Sequence, residues 1–207
     1  MTFSPAQTSP IELGQQYKGN GQMKALLIID MQMEMQHRIQ AGVDCVNADA
    51  PDRINALASF HRGQGWPVIH IRHSDDNPHS PFHWDAKGCP PMACAEAAEN
   101  EAVFFKRTSS AFASTGLADY LNSQEISDLI VVGAVAGFCV NSTVRAGSDL
   151  GFKITVVEDA VVGFGLPESG QSAHMIFDAT MALLRSDFAE ITMTAKILNA
   201  GKVQKEM

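Results

Sequence analysis

A single α/β domain, with a mostly parallel central sheet flanked by helices, is the fold this sequence predicts, and three observations predict it. Short bare apolar runs, Ala25 to Ile29, Ala102 to Phe105, Leu129 to Val132 and Ile154 to Val157, suit strands buried on both faces of a parallel sheet. Between them lie stretches with apolar residues at helical spacing, so strand and helix alternate along the chain. The 207 residues, 45% of them hydrophobic, are enough for one sizeable core, and no second domain is expected.

Residues Met1 to Met23 carry Pro, Gly, Gln and Ser without periodicity and read as an N-terminal arm, either a loose tail or a cover over a partner subunit. The domain proper is expected over residues 24–207. Its first strand begins near Lys24 and ends at Asp30, followed by Met31-Gln32-Met33-Glu34-Met35. Gln32 there is a candidate for hydrogen-bonding a substrate, and the methionines, Met35 among them, are either core filler or, at the sheet's carboxyl edge, adaptable pocket lining. Pro51 opens a helix with Ile54, Leu57, Ala58 and His61 on one face, which stops at Gly63 or Gly65. Pro67 to Ile71 is the second strand.

The irregular segment from Arg72 to Asn100 is too long for an ordinary connection, and loops of this length cover sites or build interfaces. It holds His73, Asp75, Asp76, His79, His83 and Asp85, but no tight ligand pair, so no metal site is assigned. Its aromatics Phe82 and Trp84 are candidates for pocket or subunit contacts, with plain loop packing an equal rival. After Lys106 comes Arg107-Thr108-Ser109-Ser110-Ala111-Phe112, and then a helix near Gly116 to Ser123. Beyond Asp159 a Gly-rich loop is expected over Val161 to Leu166, then a helix carrying Ala173, Ile176, Phe177, Thr180, Leu183 and Leu184 at helical spacing. Phe188 to Met193 should be the last strand, and Thr194 to Leu198 a short closing helix.

The stretch from Asp128 to Asp159 organises the rest. Leu129 to Val132 run into Gly133, a small-residue turn spans Ala134 to Gly137, and Val140, Val144, Gly147 and Gly151 then recur at helical spacing. Cys139 therefore stands at a helix start after a strand, where free N–H groups and the helix dipole favour thiolate and can hold an oxyanion. A small buried hydrophobe would suit the same position. Asp30 and Lys106 each end a strand-like run as Cys139 does, and the carboxyl ends of parallel strands share the edge where ligands bind. An acid, a base and a thiol would converge there.

The formal net charge of −8, with no basic cluster, disfavours nucleic acid or anionic membranes as partners. Cys45, Cys89, Cys94 and Cys139 are irregularly spaced and form no CxxC pair, which argues against zinc and a disulfide framework and for a cytoplasmic protein. No apolar run is long enough to span a membrane. The Asn141-Ser142-Thr143 sequon reads as a coincidence on a helix.

Taken together, the residues resemble the isochorismatase-like cysteine hydrolases, among them nicotinamidases, N-carbamoylsarcosine amidases, ureidoacrylate hydrolases and isochorismatases. The resemblance covers nearly the whole chain. It rests on Leu26-Leu27-Ile28-Ile29-Asp30-Met31-Gln32, on Lys106 with Ser109-Ser110-Ala111-Phe112, and on Gly133 through Cys139-Val140 with Thr143, Ala146 and Gly151-Phe152. It implies the family's three-layer, Rossmann-like fold and a catalytic trio of Asp30, Lys106 and Cys139. It also implies a cis peptide between Ala134 and Val135 that turns N–H groups toward an oxyanion; Phe112 and Phe138 are further candidates for substrate contacts. The chain departs from the family where Thr-Asn or Thr-Asp usually stands, having Ala136-Gly137, and often Phe where Met35 is. The Asp, His, His metal site of nicotinamidases has no match around His70-Ile71-Arg72-His73, which turns the expectation away from nicotinamidase and toward generic cysteine hydrolases that need no cofactor.

The implied chemistry is acyl transfer on a small molecule: Asp30 takes the thiol proton, Cys139 attacks a carbonyl carbon, and Lys106 steadies the charges. A vinyl-ether hydrolase, a silent binding module of the same fold, and a redox-sensing thiol with a resolving cysteine are the rival readings. A homo-oligomer, at least a dimer, is expected, because the loop with Phe82 and Trp84 and the arm would otherwise leave apolar surface exposed.

Overall fold

The computed structural model describes residues 23–203, so the expected arm lies outside the described residues except for Met23. The first strand, β1 (Lys24–Ile29), is followed by α1 (Met33–Gln40), the two-residue β2 (Cys45–Val46), α2 (Ala50–Gln64) and β3 (Val68–His73). A long connection, broken by a single 3₁₀ turn at Ala93–Ala95, leads to β4 (Ala102–Lys106), α3 (Leu117–Ser123) and β5 (Asp128–Ala134). A π-helical turn (Ala136–Val140) then enters α4 (Asn141–Asp149), and β6 (Lys153–Phe164), α5 (Ala173–Asp187), β7 (Glu190–Thr192) and α6 (Thr194–Val203) complete the order.

The strands form one sheet in the order β2-β6-β5-β1-β3-β4, with β7 also on β6, and every pairing is parallel except β2 with β6. Strand parity sorts the core. Ala25, Leu27 and Ile29 of β1, with Ile69 and Ile71 of β3, pack under Leu117, Leu121, Val144, Phe177, Met181 and Leu184 of α3, α4 and α5. Leu26, Ile28 and Val68 face the other way, against Ile54, Leu57 and Ala58 of α2 and Met35 of α1. Helices thus cover both faces, the arrangement in which all-parallel strands read as continuous apolar runs.

The chain winds outward from β1 in both directions, through β3 to β4 and through β5 to β6, so the order reverses at β1. Ligand crevices in such sheets open at that reversal, beyond the carboxyl ends of the strands. Gly133 makes the close approach of β5 to β1 possible. It adopts φ 120°, and a Cβ there would fall 2.1 Å from the Ile29 carbonyl oxygen.

Several element boundaries differ from expectation. The Gly-rich stretch from Val161 is strand as far as Phe164, because the Asn47 side chain donates to the carbonyls of Glu158 and Val161 and β2 pairs with Gly163 and Phe164. The strand expected to stop at Ile71 continues to His73, alongside Phe104 to Lys106 of β4. Residues from Met33 onward form a helix, for which the sequence sets no expectation. Among the described residues, no helix is long and apolar enough to cross a membrane.

Candidate active site

The carboxyl edge of the sheet brings Asp30, Lys106 and Cys139 together. Asp30 follows β1 in a left-handed backbone conformation, φ 48°, that turns the chain out of the strand toward α1. Its N–H donates to the Ile71 carbonyl at 2.9 Å, tying the turn to β3. Lys106 ends β4, on the same strand parity as Ala102 and Phe104, so its stem continues the apolar stripe under α3 before the ammonium reaches the edge. Cys139 belongs to the π-helical turn that follows β5, and the Ala134–Val135 peptide bond before it is cis, where the resemblance put it.

Lys106 is wholly buried and its Nζ is surrounded by acceptors. Asp30 Oδ2 lies at 2.7 Å, His73 Nδ1 at 3.1 Å, the Thr108 carbonyl at 3.1 Å and Cys139 Sγ at 3.2 Å. An ammonium has three protons for these four acceptors, so one contact is always shared. Asp30 is 3% exposed, and its second oxygen, Oδ1, is buried without a hydrogen-bond partner among the described residues. Ligand atoms of Asp30, His73 and Cys139 lie within 4.8 Å of one another, which is metal-site spacing, yet the Lys106 ammonium contacts all three. A cation could enter only by displacing it.

The electrostatics differ from the expected thiolate. Burial and then the Asp30 carboxylate push the Cys139 thiol up to about 12, against the downward pull of Lys106. Burial also raises the Asp30 carboxyl above its ordinary value, although Lys106 opposes it. The helix start is outweighed by the loss of water and by the adjacent carboxylate. At rest the sulfur keeps its proton, beside a buried carboxylate of raised basicity paired with an ammonium.

The loop after β4 is fastened to the nucleophile helix. Thr143 Oγ1 on α4 accepts from the Ala111 N–H at 3.0 Å, which holds the segment that supplies the Thr108 carbonyl. Small residues let α5 come close to the turn: a Cβ on Gly137 would meet Ile176 at 2.9 Å, so the Ala136-Gly137 departure matches the packing here.

Several sequence candidates have other duties. The Gln32 amide is 1% exposed and fully engaged: Nε2 donates to the carbonyls of His73 and Cys89, and Oε1 accepts from the His73 N–H, so it braces the long loop instead of meeting substrate. Met35 is 2% exposed and fills the core beneath α2. Phe112 stacks on Phe152 at 5.4 Å, over the bare surface of Gly147, and so packs α4 rather than the cleft. Trp84 is 75% exposed, with His83 as its ring neighbour. Two candidates do stand at the site: Phe138, 48% exposed beside Cys139, and Phe82, edge-on to the His73 ring at 5.0 Å.

His73 is the site residue that the sequence does not single out among the histidines of the long loop. Its signal was position: it closes β3 on the same edge, in register with Lys106. A hollow of about 520 Å³, lined by Lys24, Asp128, Lys153, Arg185, Asp187 and Glu190, lies at the opposite, amino edge of the sheet and takes no part in this geometry.

A doubly wound sheet with a cysteine, a lysine and an aspartate in contact at its carboxyl edge places the chain among α/β proteins whose polar side chains converge beyond the strand ends. Residues 24–192 match the isochorismatase domain, and the chain belongs to the isochorismatase family of hydrolases. It is 30% identical to the isochorismatase family protein YrdC of Bacillus subtilis (strain 168) over 85% of this chain and 95% of that one. Streptothricin hydrolase of Streptomyces noursei is 28% identical over 81% of this chain and 58% of its own length. The crystal structure of an isochorismatase-family hydrolase from Chromobacterium violaceum ATCC 12472 superposes with a TM-score of 0.81 at 28% identity, covering 89% of this chain and 96% of that one.

Proposed function

We propose that this protein is a cysteine hydrolase that cleaves a C–N bond of a small amide or ureido compound through a thioester. The observation that carries the reading is the mutual contact of Asp30, Lys106 and Cys139, two of them buried and the third, Cys139, partly exposed next to the exposed Phe138. The similarity to streptothricin hydrolase supports a hydrolytic reaction on a small molecule.

In this reaction Asp30 takes the Cys139 proton as the sulfur attacks the substrate carbonyl carbon, and Lys106 stabilises the thiolate charge. Backbone N–H groups of Val135 and Cys139 stabilise the oxyanion. The C–N bond breaks as Asp30 returns the proton to the departing nitrogen. Water, deprotonated by the same carboxylate, then cleaves the thioester to the acid and the free thiol. No step calls for a cofactor.

The test is an ammonia-release screen over primary amides, ureido compounds and carbamoylated amines, with a vinyl-ether substrate beside them and intact-mass detection of an acyl adduct on Cys139. Release that depends on Cys139 and passes through the adduct is expected. Turnover that persists in Cys139→Ala, or confined to the vinyl ether, refutes the C–N reading.

A further inference from the structure

We propose that His73 sets the substrate specificity of this site, as an N–H donor locked in one tautomer that reads a second acceptor atom on the substrate. The inference rests on the hydrolase reading only for its substrate arm.

Lys106 fixes the tautomer. Its Nζ lies 3.1 Å from His73 Nδ1, and an ammonium can only donate, so Nδ1 must be the acceptor and the ring proton must sit on Nε2. A second proton on the ring would set two cations side by side, and burial together with Lys106 does hold the imidazole pKa below its ordinary value, against Asp30 and Asp75. Three constraints hold the ring in place. The Gln32 amide grips both the N–H and the carbonyl of His73, β4 pairs with it through Lys106, and Phe82 packs edge-on against its face.

What remains is Nε2–H, which has no partner among the described residues while the ring is only half-buried. A rigid donor on a cleft wall is what orients a ligand. One nitrogen of the ring stands within 4.8 Å of the sulfur and of a carboxylate oxygen. An acceptor bound by Nε2–H would therefore lie a few bonds from the attacked carbonyl carbon, by ordinary bond lengths. The substrate class is an amide or ureide bearing a second carbonyl or carboxylate oxygen at that separation. Lys106, fully occupied and buried, cannot serve that acceptor.

The first test needs no substrate. Nitrogen-15 spectra of histidine-labelled protein should show His73 with Nδ1 bare and Nε2 protonated at pH 7. The opposite tautomer, or an imidazolium, overturns the proposal. The second uses Cys139→Ala protein titrated with malonamate, an amide with a carboxylate at this separation, and with butyramide, which lacks it. Malonamate should move the His73 Nε2–H resonance and butyramide should not. Equal behaviour of the two overturns the proposal.

The third uses the active enzyme with matched substrates from the screen. His73→Asn keeps an acceptor toward Lys106 and deletes the distal donor, and the Gln32 grip is on backbone, so it survives the change. It should raise KM about tenfold for acceptor-bearing substrates, the value of one hydrogen bond, with kcat within about threefold. His73→Leu, which also removes the acceptor for Lys106, should lower kcat as well. Equal losses on substrates with and without the second acceptor mark a merely structural residue and overturn the assignment. If no substrate emerges, the hydrolase reading fails and the two spectroscopic arms still decide on His73.

Discussion

Asp30→Asn should make Cys139 more reactive while it destroys turnover, two effects of opposite sign from one atom change. In the native site the thiol stands at about 12, against an ordinary 9.0, with burial the larger cause and the Asp30 carboxylate the second. Asparagine keeps an oxygen for Lys106 and removes the negative charge, so the ammonium 3.2 Å from Sγ acts on the sulfur unopposed. The thiol pKa must fall. Each pH unit of that fall raises the thiolate fraction about tenfold and costs about threefold in intrinsic nucleophilicity, a net gain of about threefold. If removing the carboxylate recovers about two pH units, iodoacetamide should alkylate Cys139 roughly tenfold faster at pH 8. Loss of the general base should meanwhile lower kcat/KM by about 10²- to 10⁴-fold. Mass-mapped alkylation across pH, with Cys45, Cys89 and Cys94 as internal references, reads the first effect and the ammonia assay reads the second. Slower alkylation of the variant at every pH would refute the electrostatic account.

Lys106→Met strands a buried carboxylate, which costs about 3–5 kcal/mol if the charge persists. Asp30, already raised by burial, should instead take a proton, so the variant should be more stable in urea at pH 5 than at pH 8, and the acidic limb of its kcat/KM profile should move to higher pH; an unmoved profile counts against Asp30 as base. Glu101 shows the reverse linkage: burial alone would raise it, but Arg62, His70 and the Ala98 N–H hold it at about 2, so its contribution is present above its ordinary 4.5 and lost as pH falls through 2. With its side chain 8% exposed, Glu101→Gln should cost on the order of 3 kcal/mol at pH 7 in urea titrations, and a change under about 0.5 would refute the network's worth. Activity should survive exhaustive chelation, because the Lys106 ammonium holds the space among Asp30, His73 and Cys139; loss with EDTA and recovery with zinc would overturn this. With Trp84 and Phe105 75% and 54% exposed, the protein should sediment as at least a dimer at micromolar concentration, and a monomer there would refute the expectation.

The sequence carried the sheet edge well and the side-chain bonding poorly, for physical reasons. Asp30, Lys106 and Cys139 were legible because parallel strands bury both faces, so each strand ends where its apolar run does, and the ends share one edge. Asp30 and Lys106 could be read as members of one site before any contact was known. Gln32 could not be placed, since nothing local shows that its amide is spent on the backbone of residues 41 and 57 positions away. The place of Phe112 is hidden for a similar reason: its partner is the bare surface of Gly147, a tertiary fit. The end of β6 was hidden because glycines at 163 and 165 look like loop, and only the distant Asn47 side chain and β2 keep the chain extended. His73 was lost among the loop's other histidines once the strand was ended two residues early. The thiol's pKa was out of reach, because burial decides it and burial is set by the assembled site.

A neutral resting thiol is a consistent starting point for the proposed chemistry. Before attack the buried groups carry one positive charge on Lys106, one negative on Asp30 and none on sulfur. After proton transfer the negative charge is on sulfur and Asp30 is neutral, so the net charge in a region nearly closed to water has not changed. Creating a new charge there would be costly, whereas moving one between two acceptors of the same ammonium is not. Four acceptors around three N–H bonds suit that exchange: as Asp30 takes the proton, its hold on Lys106 weakens and the shared N–H turns toward Sγ. His73 and the Thr108 carbonyl keep the ammonium in place while its other partners trade roles. Until a substrate carbonyl arrives to draw the sulfur forward, the protonated thiol is a poor target for oxidants, which act on thiolate.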